Sequence, residues 1–400
     1  MFSKIFHFAI FIFVRPESLL IEKIVGEILK RLNDMYPTDN KDLIGVESSI
    51  RQIESLLSTG SKDVYTLGIW GIGGIGKTTL AGAIFNRISN QFEGSYFLQN
   101  VREESERTGG LSQLRQKLFS GLLEDESLSV GIPNVGLNFR GKRLSRKKII
   151  IVFDDVTCSE QIKFLIGSLD WFTSGSRIII TTRDKQVLKN CRVDGIYEVE
   201  ALLDYYALQL FSRHAVGQNQ NADPSYKELS DRIIKFAQGV PLALKVLGCF
   251  LFGRKMEDWE SAANKLKKVP HLDIQKVLEA SYDGLDDEEQ NIFLDIACFF
   301  KGEDKDLVVE FLDASGFSAE IGISVLVDKS LIIILKNKIT MHDLLQGMGR
   351  EIVRQESIKD PGKRSRLWNH EDIYHVLTRN KVTHPNLQTV RQTNVSQMQC

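Results

Sequence analysis

The residues best suited to chemistry form one short run, Gly71-Ile-Gly-Gly-Ile-Gly76-Lys77-Thr78-Thr79. Its spacing, G-x-x-x-x-G-K-[ST], is that of a loop that wraps phosphate. Gly71, Gly73, Gly74 and Gly76, with Ile75 among them, free the backbone to turn its N–H groups onto phosphate oxygens. A helix starting at the loop's end would aim its positive pole at the same anion. Lys77 supplies a mobile charge for the outer phosphates, the Thr78 hydroxyl is placed to bind Mg²⁺, and Thr79 continues the turn. Glycine-rich turns also join strands to helices with no ligand present, but such turns have no need of the lysine and threonine.

Residues 147–155 read Lys-Lys-Ile-Ile-Ile-Val-Phe-Asp-Asp, an apolar strand that delivers two carboxylates. Downstream of a phosphate loop, Asp154 suits the Mg²⁺ shell, and Asp155 suits orienting or deprotonating an attacking water. Two acids after a strand can equally form a solvated turn that caps the next helix. Residues 175–184, Gly-Ser-Arg-Ile-Ile-Ile-Thr-Thr-Arg-Asp, make another apolar strand that carries Thr181, Thr182 and Arg183 to the same sheet edge. A guanidinium there could sense a terminal phosphate. The alternative is an arginine paired with Asp184 or with solvent.

These groups need a scaffold, and the hydrophobic pattern supplies one. Residues 64–70, 95–101, 148–153, 177–182 and 196–199 read as strands, with helical stretches such as 111–123 and 160–168 between them. Such alternation predicts an α/β P-loop NTPase domain: a parallel three-layer sheet with ligands at the strands' carboxyl ends. After residue 200 the strands stop. Residues 204–215, 225–238, 241–252 and 259–267 read as a small helical domain. Helices near 275–281, 288–300, 306–314 and 319–328 follow, then two apolar strands flanking Lys336-Asn337-Lys338 and a further helix through Leu345, Met348 and Ile352. Helices followed by a hairpin suggest a winged-helix domain. The expected divisions are a leader and amphipathic linker helix at 1–40, the nucleotide-binding domain at 41–200, the helical domain at 201–272, the winged helix at 273–380 and a polar tail at 381–400.

At 400 residues and 42% hydrophobic content the chain can bury several cores. Lys+Arg 51 against Asp+Glu 52 leaves a net charge of -1, so nothing global draws it to nucleic acid or an anionic membrane. Its five cysteines are scattered without zinc spacing, as expected in a reducing compartment. Residues 1–14 are apolar but too short to span a bilayer, and no small-residue cleavage site precedes Arg15-Pro16. The expected location is the cytoplasm.

Together the motifs resemble one family, the nucleotide-binding NB-ARC module of plant disease-resistance proteins, within the STAND class of P-loop ATPases. The likeness runs from about residue 19 to residue 381. It rests on residues 71–79, 149–155 and 175–183, on Phe97-Leu-Gln-Asn-Val-Arg-Glu103, on Gly239-Val-Pro-Leu-Ala-Leu244 and on Met341-His-Asp343. Leu294-Asp-Ile-Ala-Cys-Phe-Phe-Lys301 is similar to the variant of the TIR-containing branch, and Thr157 agrees, standing where the coiled-coil branch has tryptophan. The resemblance implies ADP, ATP and Mg²⁺ as ligands. It implies that Pro241 packs on adenine, that backbone around Ile44 and Gly45 touches the base, and that His342 reaches from the winged helix to the β-phosphate of ADP. By position alone, Pro241 is a helix-start proline and His342 a structural histidine after a strand. No TIR-like sequence is legible ahead of residue 19 and no L-x-x-L-x-L array after residue 381. Neither TIR-type NAD cleavage nor a repeat-built recognition surface is therefore expected.

The function expected is an ADP/ATP-binding molecular switch of plant innate immunity, in which ADP holds a closed state and ATP an open one, with slow hydrolysis as the reset. Its expected partners are adenine nucleotide and, on activation, full-length resistance proteins or a second copy; nucleic acid and stable membrane insertion are not expected. One rival is a general P-loop ATPase or phosphotransferase, for which no acceptor-binding motif is legible. The other is a STAND-type transcription regulator whose winged helix reads DNA. That would require a basic helix where Asp343 and Glu351 stand.

Overall fold

Five short apolar runs become the strands of one parallel sheet. They are β1 (Tyr65–Trp70), β2 (Gly94–Leu98), β3 (Ile149–Phe153), β4 (Arg177–Thr182) and β5 (Gly195–Glu198), ordered β2-β3-β4-β1-β5. The computed structural model describes residues 43–58, 63–123, 147–167, 172–216, 224–266 and 271–378. The leader and linker helix expected at 1–40 and the polar tail expected at 381–400 lie outside the described residues.

A parallel sheet is covered on both faces, which is why β3 reads Ile-Ile-Ile-Val-Phe without polar alternation and is buried throughout. Successive side chains still point to opposite faces. Ile150 and Val152 join a cluster with Ile50 and Ile53 of α1 (Glu47–Ser58) and Leu80, Ile84 and Phe85 of α2 (Lys77–Ile88). On the other face, α3 (Val101–Glu106) leads into α4 (Gly110–Leu123), and α5 (Ser159–Ile166) lies beside it. Ile149, Ile151 and Phe153 share their cluster with Leu114, Leu118 and Phe119 of α4 and Leu165 of α5. Each such side chain contributes about 1.5–3 kcal/mol by leaving water. Trp70 pairs with Thr182 in register, and Phe153 with Ile180. The glycine loop, Asp154-Asp155 and Arg183 therefore leave neighbouring strand ends on one edge.

The expected strand at 95–101 is corrected at its end. Asn100 turns left-handed, at φ 50°, and Val101 begins α3 instead. The N–H groups of Val101 and Arg102 donate to the carbonyls of Asp154 and Asp155, at 2.8 and 3.1 Å, so strand donors are diverted to the adjacent turn.

After α6 (Lys185–Asn190) and β5 come α7 (Asp204–Ala215), α8 (Pro224–Ala237), α9 (Pro241–Leu251) and α10 (Met256–Leu266). Phe211, Leu244 and Trp259 are buried among them, and the Trp259 indole N–H donates to the Leu251 carbonyl at 3.1 Å. The third unit opens with α11 (Leu272–Tyr282) and α12 (Asp287–Asp295). Asp286 and Glu289 cap α12 reciprocally. The helix expected through 288–300 loosens into a π-helical turn at Ile296–Phe300. Then follow α13 (Lys305–Ala314), α14 (Ala319–Asp328), the hairpin β6 (Ile333–Leu335) and β7 (Lys338–Thr340), α15 (Asp343–Glu356) and α16 (His370–Thr378). Lys336 and Asn337 hold φ of 51° and 61°, the geometry that a two-residue hairpin turn requires. Leu278 of α11 shares one buried cluster with Leu244 and with Met348, so the helical and winged-helix units are joined by a common core. No helix among the described residues is long and apolar enough to cross a membrane.

Candidate nucleotide site

Lys77 opens α2 and is only 7% exposed. Its Nζ donates to the carbonyls of Gly71 and Ile72, each at 2.8 Å. Burial, and after it repulsion from the Arg183 guanidinium, pulls its pKa from 10.5 to about 7. A buried cation bonded to neutral carbonyls is a seat for an anion. The loop that carries it needs its glycines: Gly74 and Gly76 have φ of 77° and 102°. A Cβ on Gly74 would lie 2.8 Å from the Leu242 side chain, and the Leu242 N–H donates to the Gly74 carbonyl at 3.2 Å. The start of α9 thus closes directly on the phosphate loop.

Beside the loop, Thr78 Oγ1 and Thr181 Oγ1 each donate to Asp154 Oδ1 at 2.7 Å. Burial raises the Asp154 pKa, and the two hydroxyls partly offset it. Asp155 sits at φ 57°, its N–H donating to Thr181 Oγ1 at 2.9 Å. Arg102 Nε donates to its Oδ2 at 2.8 Å, and Arg183 Nε lies 3.5 Å from its Oδ1. Arg183 therefore pairs with Asp155 rather than with Asp184, which accepts from Lys329 Nζ at 3.1 Å. Its Nη1 also donates to the Val277 carbonyl of α11 at 2.7 Å.

These groups open on a cavity of about 490 Å³, a volume ordinary for small-ligand sites. Of the residues singled out from sequence, Ile44, Gly45, Gly74, Ile75, Gly76, Lys77, Thr78, Thr79, Asp154, Asp155, Arg183 and Pro241 line it. Gly45, at φ 73°, is pressed against the Tyr206 ring, 2.5 Å from where a Cβ would stand. Gly71 and Gly73 shape the loop without lining the cavity; a Cβ on Gly73 would crowd the Val277 carbonyl at 3.1 Å. His342 does not line it either. His342 is the N-cap of α15, and its Nδ1 accepts from the Leu344 N–H at 3.1 Å. Its Nε2 is buried without a hydrogen bond, and burial lowers its pKa to about 4, so the ring is neutral at pH 7. Among the lining residues not read as ligand contacts from sequence are Arg102, Tyr206 and Lys245. Arg102 stood in a quoted motif, where an arginine just past a strand was its only signal.

The three units also grip one another through residues that do not line the cavity. Trp70 Nε1 donates to the Asp328 carbonyl at 2.9 Å, and Lys189 meets the Asp328 carboxylate at 2.9 Å. Gln238 and Lys301 both bond to Asp343.

A parallel sheet with this strand order, carrying a glycine-lysine-threonine loop and an acidic strand end, makes the chain a P-loop NTPase with attached helical and winged-helix domains. The comparisons with known proteins agree. The NB-ARC domain matches residues 46–221, and the winged-helix domain of Roq1-like disease resistance proteins matches residues 286–357. Disease resistance protein RUN1 of Vitis rotundifolia is 44% identical over 363 residues, 90% of this chain and 27% of its own length. TMV resistance protein N of Nicotiana glutinosa is 40% identical over 377 residues, 92% of this chain and 32% of its own. Among solved structures, the Walker-type ATPase of Pyrococcus abyssi superposes with a TM-score of 0.54 at 15% identity, covering 77% of this chain and 96% of that one, a likeness of fold. The chain carries an NB-ARC domain and a Roq1-like winged-helix domain, and the relatives in Vitis and Nicotiana are plant disease resistance proteins. It spans about a third or less of the length of the two relatives named here.

Proposed function

We propose that this chain is an ADP/ATP-binding molecular switch in plant immune signalling. The observation that carries the reading is Lys77: a buried cation bonded to neutral carbonyls, inside a cavity walled by residues of the nucleotide-binding and helical units. Such a group gains most from a polyanion, and the volume suits a nucleotide. Thr78 and Asp154 would hold Mg²⁺, which when bound neutralises phosphate charge. Ile44, Gly45 and Pro241 would flank the base.

The switch lies in the contacts that cross between units. The Leu242 N–H to Gly74 carbonyl bond and the Arg183 to Val277 carbonyl bond tie the phosphate site to α9 and α11. A ligand that keeps both favours the closed arrangement, and one that draws Arg183 onto a terminal phosphate favours release. ADP is the first kind of ligand and ATP the second. Hydrolysis is slow, because the Asp155 carboxylate must first shed the two guanidinia that occupy it in this arrangement before it can serve water. His342, neutral and with Nε2 unpaired, is a donor that a β-phosphate reaching it in the closed state would satisfy. We place the switch in the cytoplasm, with full-length resistance proteins or a second copy as partners on activation.

The DNA-reading alternative gains nothing from the winged helix. The helix before its wing, α14, carries Glu320 and Asp328 and no lysine or arginine. The test is mass spectrometry of nucleotide released from the purified chain, followed by calorimetric titration. Retained ADP supports the switch; a chain that carries none and takes up neither ADP nor ATP defeats it.

A further inference from the structure

Of the four cations that line the cavity, Lys77, Arg102 and Arg183 gather with two carboxylates, Asp154 and Asp155. Asp154 is held by two hydroxyls, so both guanidinia fall to Asp155. Arg102 is placed there by the backbone. Its own N–H and that of Val101 are bonded to the turn carrying both acids, and Asn100 and Asp155 hold left-handed φ of 50° and 57° without being glycine. Backbone strain of this kind persists where the surroundings fix it, and it gathers at functional sites. Among the described residues the Arg102 guanidinium bonds only through Nε, which leaves both Nη groups of a cavity-lining side chain without a hydrogen bond.

We propose that Arg102 is a nucleotide-specificity residue: with Arg183 it forms a pair of guanidinia, resting on Asp155 in this arrangement, that shifts onto the terminal phosphate of a nucleoside triphosphate. The proposal rests on the reading of this cavity as a nucleotide site. The hold on Asp155 is modest, since the Arg102 side chain is 30% exposed and the Arg183 contact is long at 3.5 Å. Guanidinium bonds to phosphate are charge-assisted and bidentate, and they are the stronger competitor. A diphosphate ends short of the pair and leaves it on Asp155. Arg102 therefore acts on triphosphate alone, and its departure frees the Asp155 carboxylate for water.

The experiment titrates the full chain, in Mg²⁺, with ADP and with the slowly hydrolysed analogue ATPγS, for wild type, Arg102→Ala and Arg102→Lys. Arg102→Ala is expected to leave the ADP Kd within about twofold and to raise the ATPγS Kd about tenfold, with Arg102→Lys recovering part of the loss. A general structural role would weaken both ligands together, so the ratio of the two affinities is the readout. An unchanged ratio overturns the proposal while nucleotide binding by wild type still stands. Wild type that binds neither nucleotide overturns the site itself and Arg102 with it. Should Arg102→Ala lose its melting transition, Arg102→Gln, which keeps a polar contact to Asp155, reads the same ratio.

Discussion

Replacing Lys77 by methionine removes a charge while keeping an unbranched side chain only one atom shorter, and the structure sets the size of the effect. The folded chain holds this proton only to about pH 7, whereas the unfolded chain holds it to about 10.5. That gap, at about 1.36 kcal/mol per pH unit, is a cost of up to roughly 5 kcal/mol to the nucleotide-free fold at neutral pH and below. The carbonyls of Gly71 and Ile72 return some of it. Between pH 7 and 10.5 unfolding takes up a proton, so stability rises with pH; below pH 7 both states are protonated and the full cost stands, and above 10.5 it is gone. From pH 7 to pH 9 the gain should be roughly 2 kcal/mol. Urea denaturation of the nucleotide-free chain at pH 7, 8 and 9 measures this directly. Lys77→Met is expected to be more stable than wild type at pH 7, to lack the slope, and to lose most affinity for ADP and ATP. Parallel slopes for the two proteins would refute the account of Lys77 as a buried, uncompensated cation.

Other expectations follow from the same site. Asp155→Ala should slow hydrolysis and spare ATP binding, while Asp154→Ala, which removes the acceptor of Thr78, should weaken Mg²⁺-dependent binding; identical behaviour in both assays would erase the division of roles. Asp343→Val deletes the Gln238 side-chain bond that joins the winged helix to the segment before Pro241, along with a Lys301 bond inside the winged-helix unit. Discounted for its half-exposed carboxylate, the loss is about 1 kcal/mol of closure, or roughly a fivefold faster release of labelled ADP, and an unchanged release rate would make Asp343 purely structural. Gly45→Ala should lower the melting temperature and weaken adenine-nucleotide binding together, because its Cβ would enter the Tyr206 ring; full stability with normal affinity would show that the ring yields freely.

Much of this was legible beforehand because phosphate chemistry constrains sequence locally. Gly76, Lys77 and Thr78 must be adjacent, and an unbroken Ile149–Phe153 can only be a strand buried on both faces. Pairing between distant groups was not legible. That Arg183 would lean on Asp155 and reach Val277 depends on how α11 docks, which no local pattern encodes. The extension of the second strand to Val101 failed for a related reason. Gln99 and Asn100 interrupt the apolar run before Val101, and the Asp154 and Asp155 carbonyls capture the backbone donors that follow. His342 shows the opposite case: its cap on α15 is a local event, in keeping with a structural histidine after a strand, yet histidine is not among the commoner capping residues.

The sheet order also bears on how the chain is made. β1 is synthesised first but lies between β4 and β5, and its nearest partner in register, Tyr65 with Arg177, is 112 positions downstream. On the ribosome, both edges of β1 stay unsatisfied until β4 and then β5 have emerged, an apolar ribbon with nothing to pair with but other chains. Any product that stops short of residue 198 should therefore be recovered as aggregate and cleared by proteolysis, and chaperone demand should peak late in translation of this domain.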